Sequence, residues 1–583
     1  TGGTHTVTAT SVALSTASAS ASVAVTDLPG VFTYHNDLSR DGANTQEYAL
    51  TSSTVATSTF GKLFACPVDG AVYTQPLWVP GLTISGTVHN VIYVATQHDS
   101  VFAFDADSCV QLWQAKLLDT SHGGTTGEGT IVWQDVGYCY GDVYPEVGVT
   151  GTPVIDPSSK TIYVVSASEI PGAQSGICPL PAGSYFHRLH ALDITTGNEK
   201  FSGPVTIAAQ VVGTGDGSSG GMVSFNSQLQ HNRSGLALSG DGTVYVAFAA
   251  HEDASPYHGW LFGYTASDLS QTPSVFNTTP NGVDGGIWGG GGAPAVDSGN
   301  DVYVATGNGL FDQSSGFSME NDYGDSVLRL SALPGSTPNG VNLQLDGWFT
   351  AGDQLSDAEN DEDLGSGVPV LLPDQTVGPS HLLVQLGKDG FVYLINRDSM
   401  GQYQGSDSQI QQFFHVVGGF WGTPAFWQNS LYFAGAYAGS TDSLKQVSFN
   451  ATTGLFNLNP TIASHSGELF GFPGVSPSVS SQGASNGIVW AVDAGLYGYA
   501  SPNAAGGISC STGSAPLPAC VGSAVLHAYS ATNLANEYWN SALAAGNRDQ
   551  AGNAVKFVPP TIANGKVYVS TRTEVDVYGL LPN

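Results

Sequence analysis

The chain has 583 residues, of which 75 are Gly and 30 are Pro; 41% are hydrophobic and only 11% are charged. This composition provides a large core and suits many short strands joined by tight turns. The 15 Lys and Arg residues against 47 Asp and Glu give a formal net charge of -32, which argues against nucleic acid or anionic lipid as partners and favours cations and neutral molecules.

The first 27 residues are mostly Thr, Ser, Ala and Val, without the basic start and apolar run of a signal peptide, so we expect a processed or truncated product. Two alternating stretches, residues 4–11 and 18–26, predict a β-hairpin, which is marginally stable by itself. The predicted arm of residues 1–30 has three alternatives. It lies on its own propeller, is the remnant of an immunoglobulin-like domain, or adds its strands to a neighbouring subunit, so that residues 1–27 mediate self-association.

An eightfold repeat follows the arm. In each copy a short segment, usually with a central proline, precedes a segment of the form apolar, large, apolar, most often with Tyr in the middle. These second segments are residues 92–94, 162–164, 244–246, 302–304, 382–384, 431–433, 488–490 and 567–569. Each unit is too small to bury its own face, so the units must stack, and radial stacking of four-stranded units makes a β-propeller.

The last repeat runs out after residues 575–578 and lacks a fourth strand. Residues 61–65, ahead of the first repeat, form a suitable strand, and closing the ring with strands from both ends removes exposed edges. We therefore predict an all-β fold, an eight-bladed β-propeller of four-stranded antiparallel blades over residues 31–583, closed by an N-terminal strand.

Six cysteines in a chain poor in Lys suggest export, to the outside of the cell or the periplasm, and disulfides. Cys510 and Cys520 form the expected pair within one loop, which leaves Cys66, Cys109, Cys139 and Cys178 for two more. No Cys-x-x-Cys-His motif occurs, so no c-type haem is expected. No stretch of about 18 apolar residues occurs, so no membrane span is expected either.

The segment from Ile92 through the alternating residues 100–107 to Trp113 resembles the repeat of pyrroloquinoline-quinone (PQQ) propellers, which include the quinoprotein alcohol dehydrogenases. The resemblance implies a divergent secreted bacterial member of that family. In the dehydrogenases, Ca²⁺ and the quinone lie over the central channel. Many propellers with this repeat bind no quinone, so function must be argued from the site.

The resemblance also implies roles for five residues. Glu252 and Asn308 are similar in position to calcium ligands, and Trp288 to the tryptophan on which the quinone stacks. Asp363 lies where the family has the base towards the alcohol, and it is also expected to be a ligand of the metal. Lys388 resembles the basic residue that contacts the quinone oxygens. Oxygen ligands of this kind suit Ca²⁺, and the cation and Lys388 would stabilise negative charge on the reduced ring.

Each of these residues also has a purely structural interpretation. Trp288 stands in a glycine-rich stretch and could plug the channel, while Asn308 and Lys388 lie in ordinary turn sequences. Asp363 belongs to an acidic run, residues 357–363, which is typical of a solvated loop or of an independent Ca²⁺ site. Residues 144–150 lack the adjacent cysteines and the Arg that alcohol dehydrogenases of this family carry beside the quinone.

Two functions follow as alternatives. The first is a secreted Ca²⁺- and quinone-dependent oxidoreductase acting on an alcohol or sugar, with a separate electron acceptor. The second is a non-catalytic extracellular propeller for adhesion, or one that assembles into oligomers or filaments through its arm. Polysaccharide binding or cleavage by paired carboxylates is a third, without a spacing that singles out a pair. The excess of Asp and Glu over Lys and Arg is equally well explained if the protein works in an acidic environment, where part of its carboxylates are protonated.

Overall fold

The computed structural model describes residues 3–25, 29–138, 142–172, 180–312, 321–337, 340–416, 418–497, 501–502, 508–509 and 521–582. Within them, eight antiparallel sheets form the blades of a closed ring. The fold predicted from the eightfold repeat is thereby confirmed.

Blades 1 to 4 each run outward from a first strand beside the channel. The strands of blade 1 are Leu77–Ile84, Thr87–Ala95, Ser100–Asp105 and Gln111–Lys116. Those of blade 2 are Val154–Asp156, Thr161–Ile170, Ser184–Asp193 and Val205–Thr206. Those of blade 3 are Ala237–Leu238, Thr243–Ala250, Trp260–Thr265 and Ser274–Asn277. Those of blade 4 are Ala295–Val296, Val302–Ala305, Ser326–Thr337 and Gly340–Thr350.

Blades 5 to 8 repeat this order. The strands of blade 5 are Val370–Leu371, Leu382–Leu386, Phe391–Asn396 and Gln412–His415. Those of blade 6 are Ala425–Trp427, Ser430–Phe433 and Thr441–Asn450, with Leu455–Phe456 and Ser464–Gly471 sharing the outer position. Those of blade 7 are Ser478–Gln482, Ser485–Asp493, Val525–Ser530 and Glu537–Asn540. Those of blade 8 are Thr561–Ala563, Lys566–Ser570, Glu574–Leu580 and Phe60–Pro67.

Further elements lie outside the main strands of the blades. The further strands are Gly3–Thr10, Ser18–Val25, Ala43–Asn44, Gly129–Val132, Glu146–Val147, Gln210–Val212, Met222–Ser224, Gln230–His231, Gln402–Tyr403, Ser501–Pro502 and Ile508–Ser509. One α-helix spans Gln354–Asn360, and 3₁₀ turns span Thr120–His122, Trp133–Asp135, Gly289–Gly291, Leu364–Ser366 and Ala545–Asn547. Among the described helices, none has the length and apolar character needed to cross a membrane.

The tyrosine of the repeat ties neighbouring blades together. It lies on the second strand of its blade with its ring buried. In four blades its hydroxyl donates to a carbonyl in the next blade, at the turn after the third strand. The pairs are Tyr93 to Ile194, Tyr163 to Ala266, Tyr432 to Ala531 and Tyr568 to Ala106, at 2.7, 2.9, 2.6 and 3.3 Å. Tyrosine suits this position because its ring fills the core while its hydroxyl reaches a partner.

The ring closes through blade 8, as the sequence predicts. The strand Phe60–Pro67 pairs antiparallel with Glu574–Leu580, so segments from both parts of the chain complete one sheet. A disulfide joins Cys66 on this closing strand to Cys109 in a turn of blade 1. The other four cysteines, including the predicted pair Cys510 and Cys520, lie outside the described residues.

Residues 31–47 form a central plug that the sequence did not reveal. Residue Val31 pairs with Trp78 of blade 1, and Leu38 packs with the cluster that includes Ala237 of blade 3. The Nδ2 atom of Asn44 donates to a carbonyl of blade 8. Backbone amides of the remaining blades donate to the plug from Ile155, Val296, Leu371, Phe426 and Val479. All eight blades therefore contact this one segment.

The N-terminal hairpin lies apart from the ring's sheets. Its strands Gly3–Thr10 and Ser18–Val25 pair with each other in register, Gly3 opposite Val25 and Thr10 opposite Ser18. Every side chain of residues 6–20 is exposed. The predicted arm is thus a hairpin, and its strands belong to a two-stranded sheet of their own.

Candidate functional site

The two ends of the channel differ. Because the first and second strands of a blade are antiparallel, the start of the first strand and the end of the second lie at the same end of the channel. In blades 2 to 4, residues of the plug line one cavity with the ends of the first strands and the turns that follow them, such as Pro157, Gly240 and Ser298. Asn308 and Lys388 follow second strands, and Asp363 precedes a first strand. These three residues therefore lie at the end opposite the plug, which we call the channel mouth.

The carboxylate of Asp363 contacts the other two residues at the mouth, Asn308 and Lys388. The Oδ1 atom of Asp363 accepts the backbone N–H of Asn308 at 2.6 Å, and its Oδ2 atom lies 2.5 Å from Lys388 Nζ. The neighbouring Asp361 accepts from Asn308 Nδ2 at 2.9 Å and from Lys388 Nζ at 2.6 Å. Asp363 is buried, whereas the side chain of Asp361 is 67% exposed. The structure thus brings together three of the five residues that the resemblance implied.

Local backbone geometry sets these positions. Asp361 ends the helix Gln354–Asn360 in a left-handed conformation, with φ 60°. Asp363 then begins the 3₁₀ turn Leu364–Ser366. A Cβ at Gly307 would lie 2.1 Å from Asp363 Oδ1, so the glycine before Asn308 permits the carboxylate to approach.

Two polar atoms in this region have no hydrogen-bond partner. The Oδ1 atom of Asn308 is buried and unpartnered, and so is the indole N–H of Trp288. Trp288 is 8% exposed and packs edge to face with Tyr257, their ring centroids 6.2 Å apart. Buried polar atoms are rarely left unpaired, so the carbonyl of Asn308 is a candidate ligand atom. The indole offers little surface for stacking.

Charge is unbalanced at the mouth. Burial, and then repulsion from Asp363, raises the pKa of Asp253 to about 7, although the residue retains contact with solvent. The same two causes raise the pKa of Asp325 well above its ordinary value. Burial lowers the pKa of Lys388, but attraction to Asp363 and Asp361 outweighs it and leaves that pKa above its ordinary value. Lys388 therefore interacts with Asp361, Asp363 and Asp253, while Asp325 interacts with Asp363, so acidic groups outnumber the one ammonium group in this region, which favours a bound cation.

Glu252 lies in a different set of contacts. Its carboxylate accepts the backbone N–H groups of Tyr138 at 2.8 Å and Asp142 at 3.0 Å. Asp142 in turn pairs with Arg233 and Lys556. The assignment of Glu252 as a metal ligand stays a prediction.

Asp253, the residue after Glu252, interacts electrostatically with the groups at the channel mouth. Asp253 accepts from the Tyr257 hydroxyl at 2.9 Å and is electrostatically coupled to Asp363 and Lys388. It lies in the stretch His251-Glu252-Asp253, one position beyond the predicted ligand Glu252. Glu252 and Asp253 both have positive φ, 54° and 56°, and their carboxylates contact different partners. No spacing in the sequence distinguishes the two.

No protein-family model matches the chain, and no curated protein matches it. Solved structures do. A quinohemoprotein alcohol dehydrogenase from Pseudomonas putida HK5 matches with a TM-score of 0.53 at 13% identity, over 94% of this chain and 80% of that one. A second, from Comamonas testosteroni, gives 0.50 at 13% identity, over 94% and 80%. A europium-containing methanol dehydrogenase gives 0.51 at 12% identity, over 95% of this chain and 98% of that one.

These likenesses show the fold. The chain has the eight-bladed propeller of the quinoprotein dehydrogenases, as the repeat predicts. At 12–13% identity the activity does not transfer with the fold, so function rests on this chain's own residues.

Proposed function

We propose that this chain is a secreted propeller, outside the cell or in the periplasm, that assembles with further copies of itself through its N-terminal hairpin. One observation carries the proposal. The hairpin of residues 3–25 lies outside a ring that closes without it, because Phe60–Pro67 already supplies the outer strand of blade 8.

A two-stranded hairpin is at best marginally stable alone in water. Each strand here pairs on one side only within the described sheet, so its other edge presents backbone N–H and C=O groups. Apolar side chains are also exposed: Val7 and Leu14 are each 59% exposed, and Val12 is fully exposed. A second copy of the chain would pair with the edge and cover these side chains, which is β-strand addition.

Truncation tests assembly. The full chain and a variant lacking residues 1–28 are compared by light scattering after size exclusion and by electron microscopy over a range of concentrations. We expect assembly of the full chain only, and the same thermal midpoint for both rings. A full chain that stays monomeric, or a truncated chain that still assembles, contradicts the proposal.

A point variant refines the test. Val7→Pro removes a backbone donor in the middle of a hairpin strand and should abolish assembly. Ala13→Pro, in the turn between the strands, is the matched control and should leave assembly largely intact. Equal effects of the two changes would show that the strands themselves do not mediate contact.

A second candidate function, a Ca²⁺- and PQQ-dependent oxidoreductase acting on an alcohol or sugar, is favoured by the convergence of Asn308, Asp363 and Lys388. The cation part fits the residues present. Asn308 Oδ1 is unpartnered, and Asp361 and Asp363 contact the same residue at Nδ2 and at the backbone N–H. Oxygen atoms of these types are the ligands that Ca²⁺ prefers. Attraction of this cluster for a cation does not require redox chemistry.

The quinone part fits less well. Trp288, the implied stacking residue, is 8% exposed and packs edge to face with Tyr257, so little of its ring surface is available for stacking in this arrangement. Lys388 is already engaged by both Asp361 and Asp363. We therefore derive no chemical step through a quinone and rank this function second.

Reconstitution distinguishes the two functions. The full chain is loaded with Ca²⁺ and PQQ, and reduction of an artificial electron-acceptor dye is followed with a panel of alcohols and sugars. Turnover that is lost in Asp363→Asn but retained in Asp374→Asn, an exposed control, would establish the oxidoreductase. Calcium binding without dye reduction would leave only the cation site.

A further inference from the structure

A group of three side chains lies where blade 1 meets blade 2. These residues are distant in the sequence from those of the channel mouth. His122 ends the 3₁₀ turn that follows the outer strand of blade 1. His190 lies on the third strand of blade 2, and Glu199 lies in the connection after that strand. The fold therefore draws the three residues from two blades.

One carboxylate oxygen joins both imidazoles. Glu199 Oε1 lies 2.9 Å from His122 Nδ1 and 2.7 Å from His190 Nδ1. One ligand atom from each residue lies within 4.8 Å of the other two. Among the residues that the structure describes, no second group of three such side chains comes together in this way.

These separations suit a tetrahedral metal ion. With bonds of about 2.0–2.1 Å to nitrogen and oxygen, two ligand atoms on tetrahedral Zn²⁺ lie roughly 3.3 Å apart. The two measured contacts of 2.9 and 2.7 Å need to open by only a few tenths of an ångström.

The surroundings hold the ligands in place. His190 Nε2 lies 2.9 Å from Ser166 Oγ, a contact that fixes the imidazole and leaves Nδ1 directed at Glu199. Metal-binding histidines are commonly oriented through their second nitrogen in this way. The side chains of His122 and Glu199 are 10% and 11% exposed, so a water molecule can reach the site.

The charge state suits a metal as well. Burial raises the pKa of Glu199, but hydrogen bonds from His122 and His190 outweigh it and lower that pKa overall. Burial is the largest influence on His190 and lowers its pKa.

We propose that His122 Nδ1, His190 Nδ1 and Glu199 Oε1 bind a Zn²⁺-class divalent cation, with water as the fourth ligand. Two histidines and one glutamate with an open position form a recurrent zinc ligand set. The ion joins the loop after blade 1 to blade 2. In the same loop, Glu128 forms an ion pair with Arg188, which lies on the same strand as His190. The metal ion would therefore strengthen a contact between this loop and blade 2 that the ion pair already makes.

Zinc titration of the full chain, without a purification tag, tests the proposal. Calorimetry measures affinity and stoichiometry, and the visible absorption of Co²⁺ in place of Zn²⁺ reports tetrahedral coordination. Glu199→Gln and His122→Gln remove one ligand each. His89→Gln is the matched control, because His89 contacts a single carboxylate, Asp105, at 2.6 Å.

We expect one tight site in the wild-type chain and in the His89→Gln variant, and at least about tenfold weaker binding in both ligand variants, since even outer partners of a ligand commonly contribute that much. The tetrahedral Co²⁺ spectrum should be absent in the two ligand variants. Equal affinity in Glu199→Gln and wild type overturns the proposal. So does a wild-type chain that binds no Zn²⁺, which would identify the group as a hydrogen-bonded triad. Thermal midpoints without metal show that the variants are folded.

Discussion

Lys388 Nζ lies 2.5 Å from Asp363 Oδ2, and the side chains are 14% and 4% exposed. An ion pair so little exposed differs from a surface pair, because removal of one partner leaves the other charge without compensation. It is the centre of the channel mouth and the part of the candidate site that is most sensitive to substitution.

Replacing Lys388 with Met should lower the free energy of unfolding by about 3–5 kcal/mol, because Asp363 would remain buried without its partner. Denaturant titration measures the change. Asp361→Asn is the control: that side chain is 67% exposed, so its loss should cost less than about 1 kcal/mol. A similar loss of unfolding free energy in the two variants would mean that the buried ion pair contributes no more to stability than an exposed one.

Replacing Arg40 with Met should also destabilise the fold. Arg40 is fully buried in the plug, and its guanidinium donates to Pro294 O at 3.0 and 2.6 Å and to Thr33 Oγ1 at 2.8 Å. Leaving these acceptors unpaired should cost at least about 2 kcal/mol. Chemical denaturation is the measurement, with the exposed Lys116→Met as control. A change no larger than that of the control would show that the plug does not depend on Arg40.

Asp389→Asn should stabilise the protein in a pH-dependent manner. Burial raises the pKa of Asp389 to about 7, although Tyr393 and the Phe391 N–H lower it. The unfolded carboxyl titrates near 4, so between about pH 4 and 7 the unfolded chain releases a proton that the folded chain keeps. The contribution of Asp389 is therefore complete below about pH 4 and is lost as pH rises to about 7.

Unfolding curves from pH 4 to 8 measure this effect. The advantage of Asp389→Asn over wild type should grow by roughly 1 kcal/mol per pH unit across that window and level off above it. Asp374→Asn, which alters a side chain 77% exposed, should show no such trend. A constant difference between Asp389→Asn and wild type would disprove the assignment.

Removing the disulfide should weaken the closure of the ring. Cys66 and Cys109 are 43 positions apart, and a loop of that size predicts a loss of about 2–4 kcal/mol in the Cys66→Ser, Cys109→Ser double variant. Thermal unfolding with and without reductant measures it. If reductant destabilises the double variant as much as the wild type, this bond is not the source of the effect.

The ring was predictable because the tyrosine of the repeat performs two tasks in four of the blades. A tyrosine such as Tyr93 fills the blade core and also donates to the next blade, so the pattern that builds a blade also stacks it on its neighbour. The closing strand was predictable because the last repeat is visibly incomplete. The plug was not, since each blade contributes few contacts to it and no periodicity marks residues 31–47.

The channel mouth was predictable in part. Asn308 and Lys388 follow second strands and Asp363 precedes a first strand, so the repeat places all three at the same end of the channel. Glu252 and Asp253 are adjacent residues in a turn where both have positive φ. No sequence motif indicates which of the two carboxylates faces the channel mouth. The packing of Trp288 beneath Tyr257 depends on contacts between separate loops, which a single sequence does not display.

The plug also constrains the order in which the molecule can be completed. Its residues precede every blade in the chain, yet their hydrogen-bond partners extend from Trp78 in blade 1 to Ile562 in blade 8. Backbone groups withdrawn from water need partners, so the plug becomes fully satisfied only when the final blade has docked. A nascent chain must keep residues 31–47 solvated until then, and a ring that has lost any blade exposes its centre.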